Sequence, residues 1–429
     1  MRFVSSARSQ PGLLGAFFID ALGTGLFLPF SLLFFLTTTS LPLTRIGLGL
    51  SVAAVVRIPV TIAAGPFCDR FGPRTAVVAS QLLQAAGFVN YLFVHGFWHL
   101  VAAAVLVQIG NSVFWVAYPP LILQVAGGGE REHWFALVTA LRTAGIAAGG
   151  VIAGATVAFG GRGGFIGVAA ANAVSFVLAA ALCARPRPGR PLPDGHPLPD
   201  GPPERAAAGT ESGWKLLLRD YPFLGFVAVN LGLTFLALAC QLALPVFLVK
   251  ILGLPAWAPG TALALTAVLV TVSTPAVMSA IAGRRRYRVL MAAQGLMIVA
   301  LAAFLLLHLL PAGAAVALVL AAIVPLAVCE VMQAAVVPAV VTESATPATL
   351  GRYMSAYQVT FSIGDIVVPT VVTAALNAGA AALWLPMAGV ALAAVGLLAR
   401  RMTTLAGRVG GPGPEAGGPA GRLLEADGL

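Results

Sequence analysis

The sequence predicts an all-α polytopic membrane protein with twelve transmembrane helices arranged as two six-helix halves. Three observations carry that reading. Of the 429 residues, 59% are hydrophobic and only 9% charged, where an ordinary soluble domain carries about 25% charged side chains. The mean hydropathy is +0.94. The apolar residues gather in twelve runs of about 20 residues each, the length that crosses a bilayer. A β-barrel is excluded because no run alternates with period two.

The runs begin near Leu13, Ile46, Thr75, Trp98, Trp134 and Phe165, and again near Tyr221, Pro259, Val289, Ala314, Tyr353 and Ala380. The first follows Arg2 and Arg8 and extends to Leu36. That is too long for the apolar region of a signal peptide, and no small-residue cleavage site follows it, so it reads as an uncleaved first span. Spans two and three, Ile46 to Ala64 and Thr75 to Val94, flank Gly65-Pro-Phe-Cys-Asp-Arg-Phe-Gly-Pro-Arg74. Glycines at 65 and 72 and prolines at 66 and 73 predict a tight turn that returns the chain antiparallel, with Asp69, Arg70 and Arg74 at one membrane surface.

Residues 1–184 form the N-terminal half. Residues 185–220 are a cytoplasmic linker rich in Pro and Gly, which cannot bury a core, with a short amphipathic helix expected at Trp214 to Arg219. Residues 221–400 form the C-terminal half and 401–429 a disordered tail. The halves read as repeats. Gly15 and Asp20 match Gly225 and Asn230 at an offset of 210, and Pro29 and Pro59 match Pro245 and Pro275 at 216.

The net charge of +10 invites a nucleic-acid partner, but the charges follow topology. With the N-terminus inside, 20 of the 25 Lys and Arg fall in inner loops and tails, whereas Arg45, Arg162 and Lys250 fall outside. The positive-inside rule then puts both termini in the cytoplasm of a bacterial-type plasma membrane. The four cysteines, at 68, 183, 240 and 329, lack paired spacing, so neither disulfides nor a metal site is predicted. His95 and His99 read as interfacial polar residues. No cofactor is called for, and a monomer in the bilayer is expected, with a small-molecule substrate and protons as partners.

The pattern Gly65, Asp69, Arg70, Gly72, Arg74 resembles the signature loop between the second and third helices of the major facilitator superfamily of transporters. The resemblance extends from about Leu13 to Ala399 and implies that fold, with two halves rocking around a midplane site. It implies that Asp69 and its basic neighbours lock the cytoplasmic ends of the halves, with the start of span eleven near Arg352 as a docking point. In span five, Gly145, Gly149 and Gly150 resemble the family's exporter motif without its proline; glycines four apart also serve plain helix packing. Span four ends Val107-Gln108-Ile-Gly110, near a family motif whose arginine is missing here.

Five ionisable residues lie within apolar spans: Asp20, Arg57, Arg142, Glu330 and Asp365. Each costs roughly 2.5–3.5 kcal/mol at the centre of a membrane helix, so they must face protein or water and find partners. Counting from the predicted span ends, Asp20 and Arg57 both lie roughly 12 Å deep, which makes a pair geometrically open. Three acids against two arginines leave one acid without a fixed partner, and an acid of that kind suits proton coupling. Asp20 is the preferred carrier, with Glu330 its rival.

Polar and aromatic residues at spacings of three, four and seven mark single helical faces. They are Asp20, Thr24 and Phe27 in span one, and Gln108, Asn111, Trp115 and Tyr118 in span four. Asn230, Thr234 and Gln241 mark span seven; Glu330 and Gln333 mark span ten. In the family the resemblance points to, these four helices line the central cavity. Gln81 and Gln84 in span three do not fit that partition. The reading is a secondary active transporter, not an enzyme, carrying out proton-coupled export of a small organic compound. Proton-driven uptake of a metabolite and a non-transporting sensor or scaffold are the alternatives.

Overall fold

The computed structural model describes residues 10–125, 131–185, 217, 219–255, 257–307, 310, 312–344 and 350–405. Most of the linker, including most of the expected amphipathic helix, and residues 406–429 of the expected tail lie outside the described residues, while residues 401–405 continue the last helix. Ten helical runs are long and apolar enough to cross a membrane. One of them folds back on itself and Pro73–Tyr91 adds a further helix of similar length, so the described residues supply twelve spans. Lipid offers no hydrogen bonds to the backbone, so each crossing closes its own helical ladder.

The N-terminal half comprises span one (Pro11–Thr38), span two (Leu43–Ala54 and Arg57–Phe71), span three (Pro73–Tyr91) and span four (Phe97–Val125). Spans five and six are the two arms of Arg131–Ala184, which reverses at Gly161 with φ 49° and ψ −129°. The C-terminal half comprises span seven (Tyr221–Ile251), span eight (Ala258–Ile281), span nine (Arg286–Leu306), span ten (Ala312–Ser344), span eleven (Leu350–Ala378) and span twelve (Ala380–Leu405). Proline explains several irregularities, because it removes one N–H from the ladder. Pro29 lies in a 3-10 turn, Leu28–Phe30. Span two breaks at Val55 and Val56, just before Arg57 and Pro59. Pro245 lies two residues before a π-helical stretch, Phe247–Ile251.

Without water to drive association, membrane helices hold together by close packing and polar contacts, and small residues let backbones approach. Spans one and five show this most clearly. A Cβ on Gly149 would stand 2.2 Å from the Leu22 carbonyl oxygen, and one on Gly25 2.2 Å from that of Ile146. The glycines that resemble an exporter motif are therefore occupied in helix packing. Near its far end span one carries Phe27, whose ring centroid lies 4.7 Å from that of Phe88 and stacks on Tyr91 at 5.9 Å.

The two halves meet on the side away from the termini. Gly47 in span two packs so tightly on span eleven that a Cβ would lie 1.9 Å from Thr373 Oγ1 and 2.5 Å from the Pro369 carbonyl oxygen. One turn on, Ser51 Oγ accepts from the Thr370 hydroxyl at 2.8 Å and the Thr370 amide at 3.2 Å. The other seam joins spans five and eight, where a Cβ on Gly260 would be 2.3 Å from the Gly150 carbonyl oxygen. Towards the termini, span two packs instead on its own half's spans three and four.

Candidate functional site

The structure resolves the five intramembrane charges into two pairs and a single acid. Asp20 accepts from Arg142 Nη1 and, at 3.0 Å, from Gln81 Nε2. The Arg142 guanidinium also lies over two rings, 5.1 Å from the centroid of Phe114 and 5.3 Å from that of Trp115. This buried cluster lies wholly within the N-terminal half. Arg57 pairs instead with Asp365, through Nη1 to Oδ2, across the boundary between the halves. An Asp20–Arg57 pair is therefore not formed.

The reason is where span two ends. The helix does not stop at Ala64 but continues through Gly65 and Pro66 to Phe71. Arg57 is thus 14 residues from its helix end and Asp365 15 residues from Leu350, placing both roughly 21–22 Å deep at 1.5 Å per residue. Asp20 is 9 residues from Pro11 and Arg142 11 from Arg131, or roughly 14–17 Å. Like depths pair with like.

Glu330, 14 residues from the end of span ten, has neither an ion-pair nor a hydrogen-bond partner among the described residues. It opens into a cavity of about 530 Å³ just below the seal between the halves. From span seven come Asn230, Thr234 and Gln241; Gln333 joins Glu330 from span ten. Span eleven adds Tyr357 and Phe361, and span eight a wall of Leu263, Thr266 and Val270. The N-terminal half contributes little beyond Leu28, Pro29, Thr143 and Ile146. Asn230 Nδ2 donates to Thr360 Oγ1 at 2.7 Å, and Gln333 Nε2 to Cys329 Sγ at 2.9 Å. Glu330 is the single charged side chain in this lining.

The other residues expected in the cavity lie outside its lining. The Thr24 hydroxyl turns back to the Asp20 carbonyl at 3.0 Å. Phe27 is buried in the aromatic cluster described above. Tyr118 packs on Phe17 and Phe114 with centroids 5.3 and 5.7 Å away, and Trp115 lies under Arg142. Gln108 and Asn111 are half-buried on span four. Span eight went unrecognised in the sequence because its cavity face is almost entirely apolar. Gln81, which did not fit a four-helix partition, is a ligand of Asp20.

The signature stretch is less a loop than a helix end. Gly65 lies within span two with open space around its Cα. The reversal is concentrated at Gly72, whose φ of +82° favours glycine because a Cβ would crowd the backbone there. Arg74 Nε donates to the Cys183 carbonyl and ties the start of span three to the last turn of span six. Arg70 is exposed, its guanidinium 5.4 Å from the Phe71 ring centroid. The side chains of Asp69 and Arg352, the expected gating partners, lie outside the described residues.

Comparison with known proteins accords with this architecture. The chain is similar to the nucleoside transporter NupG, with a TM-score of 0.71 at 13% identity over 92% of this chain and 99% of that one. It is similar also to an auto-inhibited peptide transporter of the POT family, with a TM-score of 0.69 at 16% identity over 92% and 97%. At these identities the likeness shows the fold alone. Among curated relatives, the multidrug resistance protein MdtH of Cronobacter sakazakii is 29% identical over 262 residues, 60% of each chain. MdtH of Yersinia enterocolitica is 26% identical over 265 residues, 60% of this chain and 61% of that one. The chain thus spans about three-fifths of the length of these relatives. The family model described as Major Facilitator Superfamily matches residues 13–369, most of both halves, and the chain belongs to that superfamily of membrane transporters, which is not a family of enzymes.

Proposed function

We propose that this secondary transporter exports small organic compounds from the cytoplasm in exchange for protons, with Asp365 carrying the coupling proton. The observation that carries the reading is the Arg57–Asp365 pair. It joins the halves at the base of their seal, beside the cavity, so a rocking motion that opens the seal must separate it. The freed Asp365 carboxylate then takes up a proton from the side away from the termini. When the halves close again, the Arg57 charge takes the proton's place and the proton leaves towards the termini, which the charge bias assigns to the cytoplasm.

This shifts the coupling role away from Asp20. Its partners Arg142 and Gln81 belong to the same half, so a rigid-body motion of the halves leaves that cluster intact. The likeness to MdtH, named a multidrug resistance protein, supports export of organic compounds. The test is transport into everted membrane vesicles acidified inside, using a panel of fluorescent organic dyes. At least one dye should accumulate and be released when nigericin collapses the pH gradient. Accumulation only in right-side-out vesicles would reverse the direction, and accumulation indifferent to nigericin would remove the proton.

A further inference from the structure

We infer that the turn between spans eight and nine binds the phosphate of an anionic phospholipid, in the leaflet on the side of the termini. Four arginines fall within five residues there, in Gly283-Arg-Arg-Arg-Tyr-Arg288. The reversal is too short to spread them. Span eight ends at Ile281 and span nine begins at Arg286. Between them Gly283 has a φ of +69°, and the Arg284 amide donates to the Ile281 carbonyl at 3.0 Å. Arg286 is engaged within the protein: its Nε donates to Glu343 Oε2 at 2.7 Å and its Nη2 to Oε1. Arg284, Arg285 and Arg288 are exposed and have no carboxylate partner among the described residues. Arg285 reaches only a neutral group, the Tyr287 hydroxyl, at 3.4 Å.

Three uncompensated cations at this place work against the helix they flank. The N-terminal end of a helix carries partial positive charge and favours anions, yet span nine has no acid in its first turn and no side-chain cap. The corresponding turn of the N-terminal half is different. It carries two arginines and an acid of its own, Asp69, and Arg74 is committed to the Cys183 carbonyl. The turn in the C-terminal half leaves the neutralising charge to come from outside the chain. A phosphate suits it, because the planar fork of a guanidinium matches phosphate oxygens.

The surroundings select a lipid over a soluble phosphate. Arg288, Ala292, Gly295 and Val299 are all exposed, and their spacing of four, three and four puts them on one face of span nine. A Cβ on Gly295 would meet nothing within 4 Å. The stripe is therefore a shallow apolar track that runs from the arginines towards the middle of the span. On span eight, Val268 and Val272 are exposed on the face opposite the one that lines the cavity. A phospholipid finds a seat here for its phosphate and, directly below, for an acyl chain. A soluble phosphate could use only the first.

The experiment measures lipid binding to the full chain, purified in detergent and stripped of lipid, by native mass spectrometry. The probe is palmitoyl-oleoyl phosphatidylglycerol, compared with phosphatidylcholine of the same acyl chains. The parent should bind the anionic lipid more tightly than the zwitterionic one. The triple variant Arg284→Gln/Arg285→Gln/Arg288→Gln should weaken binding of the anionic lipid by roughly tenfold or more and leave phosphatidylcholine unaffected. Equal affinity of the parent for both lipids, or unchanged binding of the anionic lipid by the folded triple variant, overturns the inference. Displacement of the lipid by equimolar glycerophosphoglycerol, its headgroup without acyl chains, would assign the turn to a soluble phosphate and overturn it too. A phosphatidylglycerol with a photoactivatable acyl chain needs only the unmutated protein, so it decides the matter even if the triple variant folds poorly. Its crosslinks should concentrate on residues 288–299, and labelling spread evenly over the lipid-facing spans would contradict the site.

Discussion

Arg57 of span two and Asp365 of span eleven form an ion pair that joins the two halves of the protein, each residue about midway along its span. Above it, Gly47 and Ser51 meet Pro369, Thr370 and Thr373 in a seal with almost no spare room. Beside it is the cavity that holds Glu330. In the proposed rocking motion, opening the seal separates the charge pair and gives the chamber access to the side away from the termini.

The Asp20 cluster should behave as a structural element. Removing one member of a buried charge pair typically costs about 3–5 kcal/mol, because the other is left unpaired. Asp20→Ala should therefore lower the thermal melting temperature in detergent clearly. The double variant Asp20→Ala/Arg142→Ala should recover part of the loss. A single variant as stable as the parent would show that the pair contributes little to the fold.

The glycine seams should set the conformational balance. Gly47→Leu and Gly260→Leu place bulk where a Cβ alone would lie 1.9–2.3 Å from its neighbours. Overpacking of this kind costs about 1–3 kcal/mol, enough to shift a two-state balance by roughly 5- to 150-fold. A cysteine at Ser51, buried in the seal, should then react with a membrane-impermeant maleimide from the side away from the termini. No gain in labelling over the parent would mean that the seams do not hold this state.

The charge bias predicts the topology. Cysteines placed at Arg162 and Lys250 should label in intact cells, and cysteines at Arg70 and Arg285 only after permeabilisation. The four native cysteines are buried, which keeps the background low. Labelling at 70 without permeabilisation would invert the orientation and with it the proposed direction of transport.

The fold was legible because lipid leaves so few solutions. Twelve apolar runs and a charge bias were enough to anticipate twelve crossings in two halves. Pairing was not legible to the same degree, because depth depends on where a helix ends. Gly65 and Pro66 look like turn residues, yet the helix carries them to Phe71 and moves Arg57 out of Asp20's reach and level with Asp365. The polar stripe of span seven does line the cavity, as do Glu330 and Gln333. The stripe of span four does not, since periodicity reveals a face but not what the face meets. Span eight gave no signal because an apolar cavity wall and a lipid-facing surface look alike in sequence.

The central claim is that Asp365 carries the coupling proton, and one measurement meets it directly. Purified Asp365→Asn protein in proteoliposomes is compared with the parent in two assays, uptake driven by a pH gradient and exchange of labelled for unlabelled substrate at equal pH. The amide has no proton to release, so the account predicts that concentrative uptake vanishes while exchange continues within a few fold of the parent. Asp365→Asn that still concentrates substrate against its gradient, while Asp20→Asn cannot, would contradict the account and return the proton to the N-terminal half.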